Sequence, residues 1–325
     1  MKRFTLASIV AAVSALSAPQ IQAQVLFSDN FDSDTTANWI VNAGASGNHA
    51  ATFFFDYSTI GIPSAPNSTG STTRGLKLEA NFGPTAAFSG ISVSPLGQNF
   101  TGDYILRFDM WMNFNGPLAT GGSGSTHLTT AGIGTTGNIA VHANMTNAAA
   151  GVWFGATGDG GSGDTTGDYR AYTANGLVNT NVGAYYAGGD ANARNDTNPY
   201  YNGLGGNTAP NDQLTLFPQQ SGTNRIGAAG MRWHEVTITK TNNFINWNIG
   251  GVDIAIVDAS SLTLSSNIFF GQSDINATVS ADANRRALLF GLIDNVRVEV
   301  VPEPSTYALG LLGLAGAYFI RRRRK

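Results

Sequence analysis

Cysteine is absent from this 325-residue chain, and charged side chains are scarce at 12%. The absence of cysteine excludes a disulfide-stabilised scaffold and a cysteine-ligated metal site. The charged fraction is about half of that found in an average soluble protein. Lysine and arginine (18) are fewer than aspartate and glutamate (21), which excludes a basic nucleic-acid-binding protein.

Glycine and apolar residues are plentiful. A hydrophobic fraction of 42% is sufficient for a packed core, so the chain is not disordered throughout. The 40 glycines, together with abundant asparagine and threonine, supply the residue types that turns require. This composition is more typical of an exported, turn-rich β protein than of a cytosolic enzyme.

The first residues have the three parts of an export signal. Met1-Lys2-Arg3 precedes an apolar run over residues 4–16, and Ala23 follows as a small residue at a cleavage point. The pattern predicts a signal peptide over residues 1–23. Cleavage after Ala18 is an alternative, and so is a buried N-terminal helix.

The last residues also have three parts: Pro302-Glu303-Pro304, an uncharged apolar segment over 307–320, and the basic cluster Arg321, Arg322, Arg323, Arg324 and Lys325. Fourteen helical residues extend about 21 Å, whereas the hydrocarbon core of a bilayer is about 30 Å thick. We therefore predict a short, marginal transmembrane helix whose terminal cations stay in the cytoplasm.

This arrangement resembles the PEP-CTERM protein-sorting signal of Gram-negative bacteria, with the sorting motif at Pro302, Glu303 and Pro304. The resemblance covers residues 301–325. It implies recognition by an exosortase-type membrane transpeptidase, a transient anchor in the inner membrane, cleavage near the motif, and delivery to the cell surface or extracellular matrix. The alternative is a permanent tail anchor.

Removing both ends changes the charge of the remaining chain. The ends hold seven basic residues and one acidic residue, so residues 24–301 keep 11 basic and 20 acidic groups, a net charge of −9. A mildly acidic domain disfavours binding to nucleic acid or to anionic lipid.

The central residues predict strands. In residues 104–112, Tyr104, Leu106 and Phe108 alternate with Arg107 and Asp109, which is the period of a half-buried strand. Gly250-Gly251 separates two further apolar runs and predicts a hairpin. No long amphipathic helix is evident, so we predict one nearly all-β domain over residues 24–300.

Several short motifs in this domain resemble concanavalin A-like jelly-roll proteins, particularly laminin-G-type modules. They are Trp233-His234-Glu235-Val236, Asn248-Ile249-Gly250-Gly251, the closing strand 293–298 and the opening residues 27–32. The resemblance implies an antiparallel two-sheet sandwich with long loops and, in some members, carbohydrate binding on the concave face.

Catalytic residues are not evident. The chain has four glutamates, and none has a second carboxylate two or four residues away on the same strand, as retaining glycosidases of this fold require. We therefore assign no catalytic residue and predict a non-enzymatic protein. A carboxylate pair assembled from distant strands stays open, and a glycoside hydrolase or lyase is the alternative function.

The middle of the chain suggests two binding sites. Oxygen ligands for Ca²⁺, the only cofactor suggested, cluster in glycine-rich loops at Asp159, Asp164, Asp168, Asp190, Asn192 and Asp196. Aromatic rings that could stack on sugars are Tyr169, Tyr172, Tyr185 and Tyr186. The alternatives are an ordinary solvated turn region and aromatic packing beneath loops. We predict an exported structural, adhesive or glycan-binding protein whose partner is an extracellular polysaccharide.

Overall fold

The computed structural model describes residues 23–44, 47–83, 89–120, 126–141, 150–160, 167–178, 183–188, 191–276, 278 and 282–301, without the side chains of residues 191 and 192. The predicted signal-peptide residues 1–22 and the predicted C-terminal helix, sorting motif and basic cluster at 302–325 lie outside this range. Within it, no helix is long and apolar enough to cross a bilayer. Residues Val25–Val301 form one compact unit.

In the part of this unit that the structure describes, there are sixteen strands. They are β1 (Val25–Asp29), β2 (Trp39–Ala43), β3 (His49–Asp56), β4 (Arg74–Ala80), β5 (Ser89–Pro95), β6 (Tyr104–Asn113), β7 (His127–Thr135), β8 (Val152–Thr157), β9 (Tyr169–Thr173), β10 (Gly176–Leu177), β11 (Gly183–Tyr185), β12 (His234–Thr241), β13 (Phe244–Ile249), β14 (Val252–Asp258), β15 (Asn267–Asp274) and β16 (Phe290–Val300). Two short helices are α1 (Asn211–Leu216) and α2 (Arg285–Leu288).

The strands form two antiparallel sheets. The nine-stranded sheet has the order β11-β14-β13-β12-β6-β16-β4-β3, with β1 also paired to β16. The seven-stranded sheet has the order β10-β9-β8-β7-β15-β5-β2. Strands that are distant in the chain are neighbours in space, for example β6 between β12 and β16, as in jelly rolls. The predicted antiparallel two-sheet jelly-roll sandwich is confirmed.

Alternation along the strands decides which side chains enter the core. Leu106, Phe108 and Met110 of β6 are buried between the sheets, whereas Arg107 is partly exposed on the outer face, as predicted. Phe270 of β15 packs edge-on against Phe108, with ring centroids 4.9 Å apart. The two inner faces therefore interdigitate through large apolar side chains, as sheet-on-sheet packing requires.

Turn chemistry also agrees with the sequence. Gly250 and Gly251 join β13 to β14 with φ angles of 56° and 86°, which only glycine adopts without strain. Residues 57–73, between β3 and β4, form a cover loop over the outer face of the nine-stranded sheet. Tyr57 of this loop packs on Trp233, whose Nε1 donates a hydrogen bond of 2.8 Å to the Pro63 carbonyl.

We expect Phe270→Ala to lower the free energy of unfolding by about 3–5 kcal/mol, because it leaves a cavity between the sheets. Phe244→Ala is the matched control, since Phe244 is 51% exposed and its loss should change stability by less than about 0.5 kcal/mol. Denaturant unfolding measures both. Equal effects of the two substitutions would contradict the assignment of Phe270 to the core.

Candidate functional site

A pocket of about 800 Å³ opens between the outer face of the nine-stranded sheet, strand β1 and the cover loop. Most of its lining side chains can form hydrogen bonds. The polar and charged lining residues are Ser28, Asp29, Asn30, Thr35, Asn38, Asn67, Thr69, Gln98, Arg107, Glu235, Asn295 and Arg297. Phe27, Leu96, Phe108 and Val296 complete the lining. The pocket is therefore mainly polar, because Phe108 and Val296 are buried core residues and only Phe27 and Leu96 of these four are partly or largely exposed.

Ion pairs connect three strands along this wall. Arg107 of β6 places Nη1 3.4 Å from Glu235 Oε1 on β12 and Nε 3.4 Å from Glu299 Oε2 on β16. Arg297 Nε lies 3.3 Å from the other oxygen of Glu299. Each pair is partly exposed, so we attribute little stability to any one of them. They bring charged side chains of β6, β12 and β16 together along one wall of the pocket.

Three carboxylates lie side by side beneath this network. Glu235 is paired with Asp109 in the register of β12 and β6, and Asp109 is paired with Asp294 in the register of β6 and β16. Side chains of directly paired residues lie on the same face of a sheet, about 5 Å apart at Cβ. The fold thus assembles a row of acidic residues from three distant parts of the chain.

Asp109 is fully buried and positions two amides of the pocket. Asn67 of the cover loop donates to it from both the backbone nitrogen (3.0 Å) and Nδ2 (2.8 Å). Asn295 Nδ2 donates a third bond of 2.9 Å. Burial raises the pKa of Asp109, and these hydrogen bonds oppose that shift. Asp109 is therefore a positioning residue for the pocket wall and not part of its lining.

Asp294 fastens the cover loop to the sheet. It accepts hydrogen bonds from the Tyr57 hydroxyl (3.0 Å), from Ser68 Oγ (3.2 Å) and from the Asn295 backbone nitrogen (2.7 Å). Burial, reinforced by the charge of Asp109, raises the pKa of Asp294 to about 7. A raised pKa on a carboxylate is a property of general acids, although Asp294 does not line the pocket.

The sequence does not reveal the row of Glu235, Asp109 and Asp294, because these carboxylates lie on three different strands. A pattern along one strand shows only carboxylates of that strand. Alternation over residues 104–112 does predict that Asp109 faces away from the core, on the outer face of the sheet where the row lies. Asn295 has a left-handed φ of 52° at a β-bulge, which the sequence does not reveal. Asn67 lies in a loop whose composition carries no functional signal.

The predicted calcium ligands are partly brought together. Asp168 Oδ1 accepts a hydrogen bond from Thr157 (2.9 Å), and Oδ2 accepts one from the backbone nitrogen of Asp196 (2.9 Å). Arg225 Nε lies 3.3 Å from Asp196 Oδ2. Burial and the neighbouring Asp168 raise the pKa of Asp196 to about 7. A side chain at Gly160 would collide with the Asp196 carboxylate.

The remaining predicted calcium ligands give little evidence for or against a metal site. Asp159 is buried, whereas Asp164, Asp190 and the side chain of Asn192 lie outside the described residues. In the part of the chain that the structure describes, no group of three or more histidine, aspartate or glutamate side chains could hold a metal ion. The Ca²⁺ site stays a prediction.

The four predicted stacking tyrosines differ in their surroundings. Tyr169, Tyr172 and Tyr185 are buried among core residues, and Tyr172 stacks on Trp153 at 5.9 Å. A ring without an exposed face cannot stack on a sugar, so the burial of these three corresponds to the alternative of aromatic packing beneath loops. Tyr186 is 44% exposed and stays a candidate for stacking.

Comparison with known protein families concerns the C-terminal end. Residues 300–325 match the PEP-CTERM protein-sorting motif. The chain carries a PEP-CTERM sorting signal. This confirms the resemblance seen at Pro302-Glu303-Pro304 and marks the chain as an exported protein. No similar sequence was found among the curated proteins.

Similar solved structures cover most of this chain at low sequence identity. A galectin-like protein of unknown function from Bacillus subtilis is 7% identical, with a TM-score of 0.45 over 86% of this chain and 97% of its own. A Bacillus licheniformis β-glucanase is 11% identical, with a TM-score of 0.42 over 86% and 100%. The metal-free Emp46p carbohydrate recognition domain is 10% identical, with a TM-score of 0.42 over 87% and 100%.

The pKa of Asp294 makes stability depend on pH. An exposed aspartate in the unfolded chain titrates near 3.8, whereas folded Asp294 keeps its proton up to about pH 7. The free energy of unfolding should therefore fall as the pH rises through this range, by at most about 1.4 kcal/mol per pH unit for this group. Asp294→Asn removes the titration, so we expect its plot of unfolding free energy against pH to be flatter.

Denaturant unfolding at pH 4–8 measures this slope. Asp212→Asn, at an exposed position of α1, is the control and should keep the slope of the wild type. An Asp294→Asn slope equal to that of the wild type would show that Asp294 does not hold a proton in the folded state.

Proposed function

We propose that this chain is an exported cell-surface or matrix protein whose sandwich domain binds a glycan in the pocket. The sorting signal supports export, and the resemblance to concanavalin A-like proteins supports a carbohydrate ligand. The observation that carries the proposal is the lining of the pocket. Amides, hydroxyls and paired ionic groups surround it, and apolar side chains complete the wall.

This lining suits the chemistry of sugars. Each sugar hydroxyl both donates and accepts hydrogen bonds, and so does each side-chain amide. Asn67 of the cover loop and Asn295 of β16 present such amides, and both are held by Asp109. Glu235 of β12 adds a carboxylate, which accepts hydrogen bonds. Apolar side chains such as Phe27 and Leu96 can contact the C–H faces of a pyranose.

The charges of the lining favour a neutral ligand. Two acidic residues, Asp29 and Glu235, are balanced by two basic residues, Arg107 and Arg297. Arg107 is already paired with Glu235 and Glu299, so it does not act as an isolated anion-binding group. A neutral, hydroxyl-rich polysaccharide fits this balance better than nucleic acid or an acidic polymer.

Hydrolysis is the second candidate function, and the acidic row supports it. Two carboxylates on neighbouring strands can act as acid and base in glycoside hydrolysis, and a raised pKa suits the acid. Glu235 lines the pocket, whereas Asp109 and Asp294 are buried behind Asn67 and Ser68 of the cover loop. Binding without cleavage therefore stands as the main proposal.

Export itself has a proposed partner. An exosortase-type transpeptidase of a Gram-negative cell would recognise the motif while the C-terminal segment is transiently held in the inner membrane. Cleavage near Pro302-Glu303-Pro304 would then remove the five terminal cations and release the sandwich to the surface or matrix.

Glycan binding is tested with Glu235→Gln and Asn67→Ala in the full-length protein purified in mild detergent. Glu235→Gln replaces the charged acceptor of the pocket with a neutral amide, and Asn67→Ala removes an amide, so we expect each variant to bind soluble neutral polysaccharides about tenfold more weakly in affinity electrophoresis. Asn211→Ala, at an exposed position of α1, is the control and should bind like the wild type.

Two results would change this proposal. Retention of no polysaccharide by the wild type, or unchanged retention by both pocket variants, would exclude glycan binding at this pocket. Release of new reducing ends that is lost in Glu235→Gln would establish hydrolysis in its place.

Processing is tested by the intact mass of the protein recovered from the cell surface. We expect the wild type to lack Arg321–Lys325 and Glu303→Ala to retain them, because the substitution removes the charged residue of the sorting motif. Ser305→Ala is the neighbouring control and should be processed normally. A wild-type mass that includes the terminal cations would contradict cleavage.

A further inference from the structure

A second patch on the outer face of the nine-stranded sheet combines exposed aromatic rings with fixed polar groups. We call it the β14 platform, and it consists of Tyr186, Tyr200, Asn246, Asn248 and Asp253. It lies near the β11 edge of the sheet and does not belong to the lining of the pocket. The platform thus presents two exposed aromatic rings beside two amides and a carboxylate, a combination that suits the binding of a ligand.

Both rings of the platform are exposed, and the Tyr200 ring is also held by its own contacts. Tyr200 is 41% exposed, and its hydroxyl donates a hydrogen bond of 2.9 Å to the Asp253 backbone carbonyl. Its ring stands at 88° to that of Tyr201, with centroids 5.3 Å apart. Tyr186 is bound through its backbone nitrogen to the Ile254 carbonyl at 3.1 Å. The Tyr200 ring, held in this way, loses little conformational entropy when a ligand stacks on it.

Asp253 is the polar centre of the platform. Its Oδ1 accepts hydrogen bonds from Nδ2 of Asn246 and from Nδ2 of Asn248, both at 2.9 Å. Its Oδ2 accepts none from any residue that the structure describes. Tyr200 contacts the backbone of Asp253 itself, and Tyr186 contacts that of the next residue, Ile254. Burial and, after it, the charge of Asp253 raise the pKa of both phenols. The Asp253 side chain thus offers one acceptor oxygen beside strand residues that both tyrosines contact.

Strand register connects the platform to the pocket. Arg107 of β6 is paired with Thr237 of β12, Thr237 with Asn248 of β13, and Asn248 with Asp253 of β14. These side chains lie in one row on the outer face, because directly paired residues share a face. Three strand spacings of about 4.8 Å separate the ends of the row by about 14 Å. One extended ligand could contact both ends.

We propose that the β14 platform is a second glycan subsite, which binds a further pyranose of the same neutral polysaccharide chain that occupies the pocket. The inference rests on the proposed function, since it assumes a glycan in the pocket. It adds that the ligand is a chain of several sugars lying across β6, β12, β13 and β14. Tyr186 and Tyr200 provide stacking surfaces, and Asp253 Oδ2 accepts a hydroxyl hydrogen bond.

The test compares short and long ligands by isothermal titration calorimetry on the full-length protein in mild detergent. The probes are cellohexaose, mannohexaose and xylohexaose, together with glucose, mannose and xylose. For the sugar that binds, we expect the hexasaccharide to bind at least about tenfold more tightly than the monosaccharide. The double substitution Tyr186→Ala/Tyr200→Ala should remove this advantage without changing the binding of the monosaccharide.

Tyr186→Phe/Tyr200→Phe is the matched control. It keeps both rings and removes only the hydroxyls, so it should retain most of the advantage of the hexasaccharide. Thermal unfolding of each variant checks that the fold is retained, as we expect because both tyrosines are partly exposed. Glu235→Gln, in the pocket, should instead weaken binding of both monosaccharide and hexasaccharide.

The outcomes separate the two proposals. Hexasaccharide binding that is unchanged in the alanine variant would overturn the platform and leave the pocket intact. Loss of hexasaccharide binding in the alanine variant with normal binding by Glu235→Gln would overturn the pocket, and with it the role of the platform as a second subsite, because the glycan would then be bound at the platform alone. No binding of any probe by the wild type would overturn both.

Discussion

The register of β6 between β12 and β16 is the constraint on which the outer face of the nine-stranded sheet depends. Because β6 is paired with both strands through Asp109, that residue has an acidic neighbour on each side, Glu235 and Asp294. A shift of one residue would turn Arg107 and Asp109 toward the core and Phe108 toward solvent. The apolar core between the sheets thereby fixes the arrangement of the polar surface outside it.

Burial of acidic groups has a cost that the surrounding polar groups offset. Asp109 and Asp294 lie beneath the cover loop, where an unpaired carboxylate would be strongly disfavoured. Asn67, Asn295, Tyr57 and Ser68 supply the hydrogen bonds, and the same bonds attach the loop to the sheet. The wall of the pocket is thus built in part from the groups that hydrogen-bond these buried carboxyls.

Individual residues show how far sequence reasoning reached. Alternation over residues 104–112 correctly placed Leu106 inside and Arg107 outside, since side-chain period is a local property of a strand. The same reasoning could not place Asp294 beside Asp109, because their pairing depends on strand order. Tyr172 was a candidate for sugar stacking, yet it lies against Trp153 in the interior. Composition around a tyrosine does not say which segment covers it.

By itself, the sequence determined the all-β class, the Gly250-Gly251 hairpin and the sorting signal at the C-terminus. Each of these depends on residues that are close together in the chain: a period of two, two glycines with left-handed φ, or a motif followed by an apolar run and arginines. Only the tertiary structure decided the pocket and the β14 platform. Their residues come from strands and loops far apart in sequence, and they meet only because sheet pairing brings β6, β12, β14 and β16 together.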